Sequence, residues 1–236
     1  MIKAIIFDLD GTLTDTLATI AHFGNFALKS CGLPAIPVNR YRRLVGNGRD
    51  LLIHRMLAEH NADTDENYQR VGAIYDREYE ADVLYGTKPY AGILPLLDAL
   101  KSAGLLLCVL SNKPHNVVCG IVDKIFGNRF NIVYGQRTGI PIKPSPEGAL
   151  DICRELSLQP SECLFAGDTH IDIETAKNAH MASVGVLWGF RDFAELQTAG
   201  ADYIIERPAE IAAIIQAKNK NREQENKRKQ EKTGEN

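Results

Sequence analysis

Two acids two residues apart, Asp8 and Asp10, close an apolar run of Ile2, Ala4, Ile5, Ile6 and Phe7, and Gly11 and Thr12 follow at once. Side chains at i and i+2 lie on one side of an extended chain, so the two carboxylates can converge on one point. Close carboxylates repel, and the arrangement is tolerable when a cation neutralises them or one of them holds a proton. Either condition points to chemistry. An acidic turn produces the same pattern, because Asp-Gly is a common turn pair, and this stretch alone does not choose between the two.

Three further places carry reactive or polar groups. The run "LLLCVLSNKP" ends in Ser111, Asn112 and Lys113, "ECLFAGDTHID" ends in Asp168 and Thr169 with Asp172 four residues after Asp168, and the loop "GIPIKPSPEG" holds Lys143. Each has an ordinary alternative: Ser111 and Asn112 as turn or N-cap residues, Asp168 as a helix-capping acid, Lys143 as a loop cation in water. Together, on one rim of one sheet, acids, a hydroxyl and a lysine read as a site.

The elements that must position these groups follow from periodicity. The first apolar run is short and nearly continuous, which suits a strand buried on both faces of a parallel sheet. From residue 16 to 83 there is no convincing strand; "LATIAHFGNFALKSCG", "GRDLLIHRMLAEH" and "DENYQRVGAIYDREYEADV" have helical spacing. After the punctuated linker "GTKPYAGI", strands and helices alternate to about residue 216, which predicts a parallel sheet with helices on both faces. Ligands of such sheets bind at the carboxyl ends of strands. The expected organisation is an α/β, Rossmann-like doubly wound core from 1–15 and 87–216, an inserted α-helical unit at 16–86, and a charged tail at 217–236.

Bulk properties narrow the function classes. The 236 residues are 44% apolar and 24% charged, ordinary for a globular chain with a sizeable core. The formal charge of −3 is uneven: from Ala217 on, seven Lys/Arg meet four Asp/Glu, leaving a mildly acidic body of twenty against twenty-six. That disfavours an extended nucleic-acid face. The tail "NKNREQENKRKQEKTGEN" has nothing apolar to bury and is expected to be disordered or a frayed helical extension. The five cysteines show no C-x-x-C pair and read as reduced thiols of a cytoplasmic protein. No apolar run approaches the roughly 18 residues of a membrane span. Nothing suggests zinc, since neither the six histidines nor the cysteines have ligand spacing.

The motifs together resemble those of the haloacid-dehalogenase (HAD) superfamily of phosphohydrolases: "DLDGT" at Asp8 to Thr12, Ser111 ending the next strand, Lys143 in "KPSPEG", and "GDTHIDIETAKNA" at Gly167 to Ala179. The resemblance implies that Asp8 attacks phosphorus and carries the phosphoryl group, and that Asp10 protonates the leaving alkoxide and then deprotonates water. It implies Mg²⁺ held by Asp8, Asp168 and the backbone carbonyl of Asp10, with Asp172 orienting a metal-bound water. Lys143 would neutralise nucleophile and phosphoryl oxygens, while Ser111, with Asn112, Gly11 and nearby backbone N–H groups, would hold the phosphate. Oxygen ligands suit Mg²⁺, and a covalent intermediate splits one difficult step into two.

In such relatives the insert is a cap that closes over the site, with linkers near Thr14 to Thr16 and Gly86 to Tyr90 as its hinges. Its loop "LVGNGRDLL" can present Gly48 and Arg49 to an anionic group, or be a plain helix–helix turn. Together with "SNKP" it resembles the phosphoglycolate phosphatase branch, although those enzymes more often have Thr at the position of Ser111 and an aliphatic residue at that of Thr14. The expected partner is a small phosphorylated metabolite, the protein a monomer or homodimer. Rival readings are a sugar-phosphate or nucleotide phosphatase, a pyrophosphatase, a sugar-phosphate mutase, disfavoured because Ile20 stands where mutases usually carry histidine, and a dehalogenase, disfavoured by Asp10. A catalytically silent binding protein of the same fold is the rival from another class.

Overall fold

The computed structural model describes residues 1–234. It begins with β1 (Ala4–Phe7), whose four residues are all buried. The side chains alternate between two cores: Ile5 and Phe7 join a large apolar cluster, Ala4 and Ile6 a smaller one. This is the period-two pattern of a strand covered on both faces.

The insertion follows. A two-residue strand β2 (Thr14–Asp15) leads into α1 (Leu17–Ser30), a 3₁₀ turn at Val38–Arg40, α2 (Tyr41–Leu44), α3 (Gly48–Ala58) and α4 (Asp65–Ala81), and the chain returns through β3 (Lys88–Pro89). Helix α1 buries Leu17, Ile20, Ala21, Ala27 and Leu28 along one stripe. It gives way to Gly32, whose φ of +79° is a left-handed conformation that glycine adopts freely. Helix α4 starts at Thr64, whose hydroxyl accepts the Asn67 N–H. Strands β2 and β3 pair antiparallel, Thr14 opposite Pro89 and Asp15 opposite Lys88, so both connections to the insertion pass through one small ribbon.

The remainder alternates as α5 (Ile93–Ser102), β4 (Leu106–Pro114), α6 (His115–Phe126), β5 (Ile132–Gln136), α7 (Glu147–Glu155), β6 (Cys163–Gly167), α8 (His170–Asn178), β7 (Ala182–Val186), α9 (Phe193–Ala199), β8 (Tyr203–Ile205) and α10 (Glu210–Gly234). The six main strands form one sheet in the order β5-β4-β1-β6-β7-β8, and every pairing in it is parallel. From β1 the chain winds outward through β4 to β5, then crosses to build β6, β7 and β8 on the other side. The winding reverses beside β1, the place where such sheets open a crevice at their carboxyl edge. Apolar residues of α5, α6 and α10 cover one face with the large cluster, and those of α7 and α8 cover the other. The insertion's Ile20, Phe23, Leu52, Tyr75 and Tyr79 belong to the large cluster as well, so it packs as part of one core with the sheet.

The structure adds to the sequence reading at two places. The short turn of helix at Tyr41–Leu44 was not foreseen, because four residues carry too little periodicity to register. Of the two alternatives for the tail at 217–236 the helical one holds as far as Gly234, to which α10 continues, and residues 235–236 lie outside the described residues. Its Glu, Lys, Arg and Gln residues are good helix formers, and a helix already started needs no new nucleus. Among the described residues no helix is long and apolar enough to cross a membrane.

Candidate active site

The turn after β1 is held by one carbonyl. The N–H groups of Leu13 and Thr14 and the Thr14 hydroxyl all donate to the Leu9 oxygen, at 3.0, 2.9 and 3.1 Å. Thr14 is therefore a structural donor at the base of the loop. The Asp8 N–H still donates to Ala166 of β6 at 2.9 Å, so Asp8 leaves from the last rung of the sheet, with little freedom to move. Gly11, at φ +92°, lies so close that a Cβ there would collide with the Asp168 carboxylate. The "DGT" glycine is thus required by backbone conformation and by the neighbouring acid together.

Asp168 follows β6 and is fully buried. Its Oδ1 accepts the Thr12 hydroxyl at 3.2 Å and its Oδ2 accepts the Phe190 N–H at 2.7 Å. Asp172 sits one helical turn on and closes a capping box, its Oδ2 accepting both the N–H and the hydroxyl of Thr169, at 3.1 and 2.8 Å. Its Oδ1 is left for Lys143. Lys143 Nζ donates to Asp8 Oδ1 at 2.6 Å and to Asp172 Oδ1 at 2.7 Å, and the side chain is 4% exposed. Buried this far, an ammonium is tolerable only because two carboxylates face it.

Electrostatics follow from burial and like charges. Desolvation drives the Asp8 carboxyl up to about 7 against the lowering pull of Lys143, with Asp172 and Asp10 adding to the rise. Asp168, desolvated and facing Asp172 and Asp8, is pushed well above the carboxylate range despite the Phe190 N–H. Burial would lower the Lys143 ammonium, but Asp172 and Asp8 outweigh it and hold it above the ordinary lysine range. Asp8, Asp168 and Asp172 bring oxygens within 4.8 Å of one another, an all-oxygen set suited to a hard divalent cation. At the rim, Asp8, Asp10, Asp168 and Asp172 face Lys113 and Lys143, a formal excess of two negative charges that one such ion would neutralise. The residues present therefore fit Mg²⁺. Asp172, expected to stand behind the metal, lies within this cluster, whereas the Asp10 carboxylate is outside it.

Asp10 turns the other way. Its Oδ1 accepts the Thr16 hydroxyl at 2.7 Å, and Lys113 Nζ lies 3.2 Å from both of its oxygens. The same ammonium donates to the Tyr79 hydroxyl of α4 at 2.8 Å. Lys113 thus joins the rim to the insertion, a role sequence reading did not give it. Thr12, Thr16 and Tyr79 were likewise missed; only Thr12 carried a signal, as the last residue of "DLDGT".

The remaining predicted residues divide. Ser111 is buried at the site and accepts the Lys113 N–H at 3.3 Å, leaving its O–H to donate. The Asn112 side chain is spent on scaffolding: it accepts the Lys143 N–H at 2.8 Å and donates to the carbonyls of Lys143 at 3.0 Å and Gly46 at 3.2 Å. Gly48 and Arg49 reach the cavity, but the Arg49 guanidinium is tied to Asp76 by two bonds of 2.9 and 2.7 Å and donates to Asp50 and Tyr68. The cavity between rim and insertion has a volume of about 250 Å³ and is lined by Asp8, Asp10, Ser111 and Lys143 below and by Leu52, Tyr75 and Tyr79 above. The insertion is closed over it, with Arg42 Nη1 donating to Gly189 O at 3.0 Å and Asn116 to Glu80 at 2.8 Å.

A family model described as haloacid dehalogenase-like hydrolase matches residues 2–180, the span that carries every one of these side chains. The chain belongs to the haloacid dehalogenase-like hydrolases. Within that family it is 30% identical over 217 residues to the phosphoglycolate phosphatase of Chromobacterium violaceum, covering 91% of this chain and 96% of that one. The phosphoglycolate phosphatase of Pasteurella multocida is 31% identical over 221 residues, covering 91% and 98%. A crystal structure described as a predicted phosphoglycolate phosphatase from Haemophilus somnus superposes with a TM-score of 0.85 at 30% identity, covering 91% of this chain and 98% of that one. The hydrolase class of the family, and the phosphatase class of these relatives, agree with the acids, lysine and hydroxyl assembled at the rim.

Proposed function

We propose that this hydrolase is a Mg²⁺-dependent phosphomonoesterase working through an aspartyl-phosphate on Asp8, with 2-phosphoglycolate as its substrate. The observation that carries the reading is Lys143 Nζ at 2.6 Å from Asp8 Oδ1, with Asp10 two residues on and facing the same cavity. Asp8 attacks phosphorus as the bond to the leaving oxygen breaks, and Asp10 gives that oxygen its proton. Asp10 then takes a proton from the water that attacks phosphorus and releases Asp8. Lys143 and the Ser111 hydroxyl hold the phosphoryl oxygens as charge moves onto them, without reorganising at the moment of reaction. Mg²⁺ held by Asp8 and Asp168 would lower the repulsion between the phosphate and the nucleophile.

The helices of 16–86 act in this reading as a cap on the core of 1–15 and 87–216, hinged at the β2–β3 ribbon. Closure excludes bulk water, so the rim works in a low-dielectric site. Five free thiols suit a reducing cytoplasm.

Initial rates with Mg²⁺ on 2-phosphoglycolate, pyrophosphate, a nucleotide and several sugar phosphates, measured side by side, test the reading. The expected result is highest kcat/KM on 2-phosphoglycolate. Turnover of none of them would leave a silent binding protein as the better account.

A further inference from the structure

Among the described residues three cationic side chains line the cavity, and two of them are committed. Lys143 is held between Asp8 and Asp172 beneath the reacting phosphoryl group. Arg49 is clamped by Asp76, and a guanidinium already engaged through two parallel bonds has little attraction left for a ligand. Lys113 differs. Its side chain is 9% exposed, and its ammonium lies 4.4 Å from the centroid of the Tyr79 ring and bonds the Tyr79 hydroxyl, an uncharged partner. Among the described residues its one anionic partner is Asp10, whose carboxyl must turn to the leaving oxygen when a substrate is in place.

Resting on the phosphomonoesterase reading of this same site, we infer that Lys113 selects the substrate, by pairing with an anionic group carried on the carbon bonded to the leaving oxygen. The substrate class is the phosphomonoesters of 2-hydroxycarboxylates. The placement follows from Asp10. A proton donor must lie within hydrogen-bond reach of the leaving oxygen, and Lys113 Nζ stands 3.2 Å from each Asp10 oxygen. A carboxylate separated from the leaving oxygen by one carbon therefore arrives beside the ammonium. Ile20, Leu52 and Val117 of the lining offer the hydroxyls of a sugar no partners, and the two acids that line the cavity from α4 are already engaged, Asp76 by Arg49 and Glu80 by Asn116. Tyr79 supplies the fixed end: it comes from the insertion, so the selecting cation reaches its position only with the insertion closed.

The test compares 2-phosphoglycolate with ethyl phosphate, which has a methyl group where the former has its carboxylate, in wild type and in Lys113→Met and Lys113→Arg, all with Mg²⁺. Wild type is expected to prefer 2-phosphoglycolate in kcat/KM by about 100-fold, since sites built around a polar group reject the analogue lacking it. Lys113→Met should shrink that preference at least tenfold, chiefly through KM for 2-phosphoglycolate, and Lys113→Arg, which keeps a cation, should shrink it less. Equal losses on both substrates would show that Lys113 serves Asp10 alone and would overturn the inference. So would a wild type that turns over both substrates equally, a result that needs no variant and leaves the phosphatase reading intact. Turnover of neither by wild type would bring down that reading and this inference together.

Discussion

The rim of the sheet and the helical face above it use charge in opposite ways. At the rim, Asp8, Asp168, Asp172 and Lys143 are buried, each fixed by short bonds, and the Asp8 and Asp168 carboxyls are driven above their ordinary range. On the face above, Arg49 and Asp76 satisfy each other within the insertion, Glu80 accepts from Asn116, and Ile20, Leu52, Tyr75 and Tyr79 give the cavity apolar and aromatic surface. The rim stores unfavourable electrostatics that a divalent metal would relieve. The charges that the insertion turns to the cavity have partners, and its apolar residues supply shape. In the proposed function chemistry and recognition are therefore separable, except at Lys113, where both regions hold one ammonium.

Substitutions should show this asymmetry. Asp8→Asn removes the proposed nucleophile and one of several crowded acids, so kcat should fall by about 10⁴-fold or more while the melting temperature holds or rises. Lys143→Ala leaves Asp8 and Asp172 buried without their cation, and urea denaturation of the metal-free protein should show a loss of about 3–5 kcal/mol together with loss of activity. Gly11→Ala, strained at φ +92° and pressed against Asp168, should cost about 1–3 kcal/mol and weaken Mg²⁺ binding in a titration.

Acidity supplies a fourth comparison. Folding raises the Asp8 pKa from 3.8 to about 7, so the folded metal-free protein holds that proton more tightly than the unfolded chain. The contribution of this group to stability is fully present below pH 3.8 and is lost as pH rises through about 7. Mg²⁺ competes for the deprotonated form, so its stabilising effect should be larger at pH 8 than at pH 6, where the proton must first be displaced. Each kcal/mol of difference moves the melting temperature by about 2–4 °C in a chain of this size. A metal effect that was the same at both values would remove Asp8 from the ligand set. The smallest change is expected on the other side of the cavity: Arg49→Ala breaks a partly exposed pair, and should cost about 1 kcal/mol or less with kcat almost unmoved.

Much of the rim could be read from the chain because its residues lie where strands end. Asp8, Ser111 and Asp168 each close an apolar run, and a parallel sheet brings such ends to one edge. Lys143 was found through the motif around it, since no strand leads to it. What escaped were relations that only packing creates. Thr16 and Tyr79 are ordinary helix-flanking and helical residues until the hinge and α4 bring them to Asp10 and Lys113. Asn112 and Arg49 are of the right type in the right place, yet their groups are spent on Lys143 and Asp76. Residue type shows what a side chain can bond, and the fold decides which bond it makes. The tail marks the same limit, because a stretch with nothing to bury can still continue a helix that α10 has begun.

The separation of roles stands or falls on where the phosphoryl group goes. Acid quenching during turnover of 2-phosphoglycolate, followed by borohydride reduction and peptide mass spectrometry, locates it directly. An acyl phosphate on Asp8 is expected, seen as conversion of that one aspartate to homoserine and absent in Asp8→Asn. Steady turnover with no reducible aspartate, or with the label on Asp10, Asp168 or Asp172, would contradict the assignment of Asp8 as nucleophile.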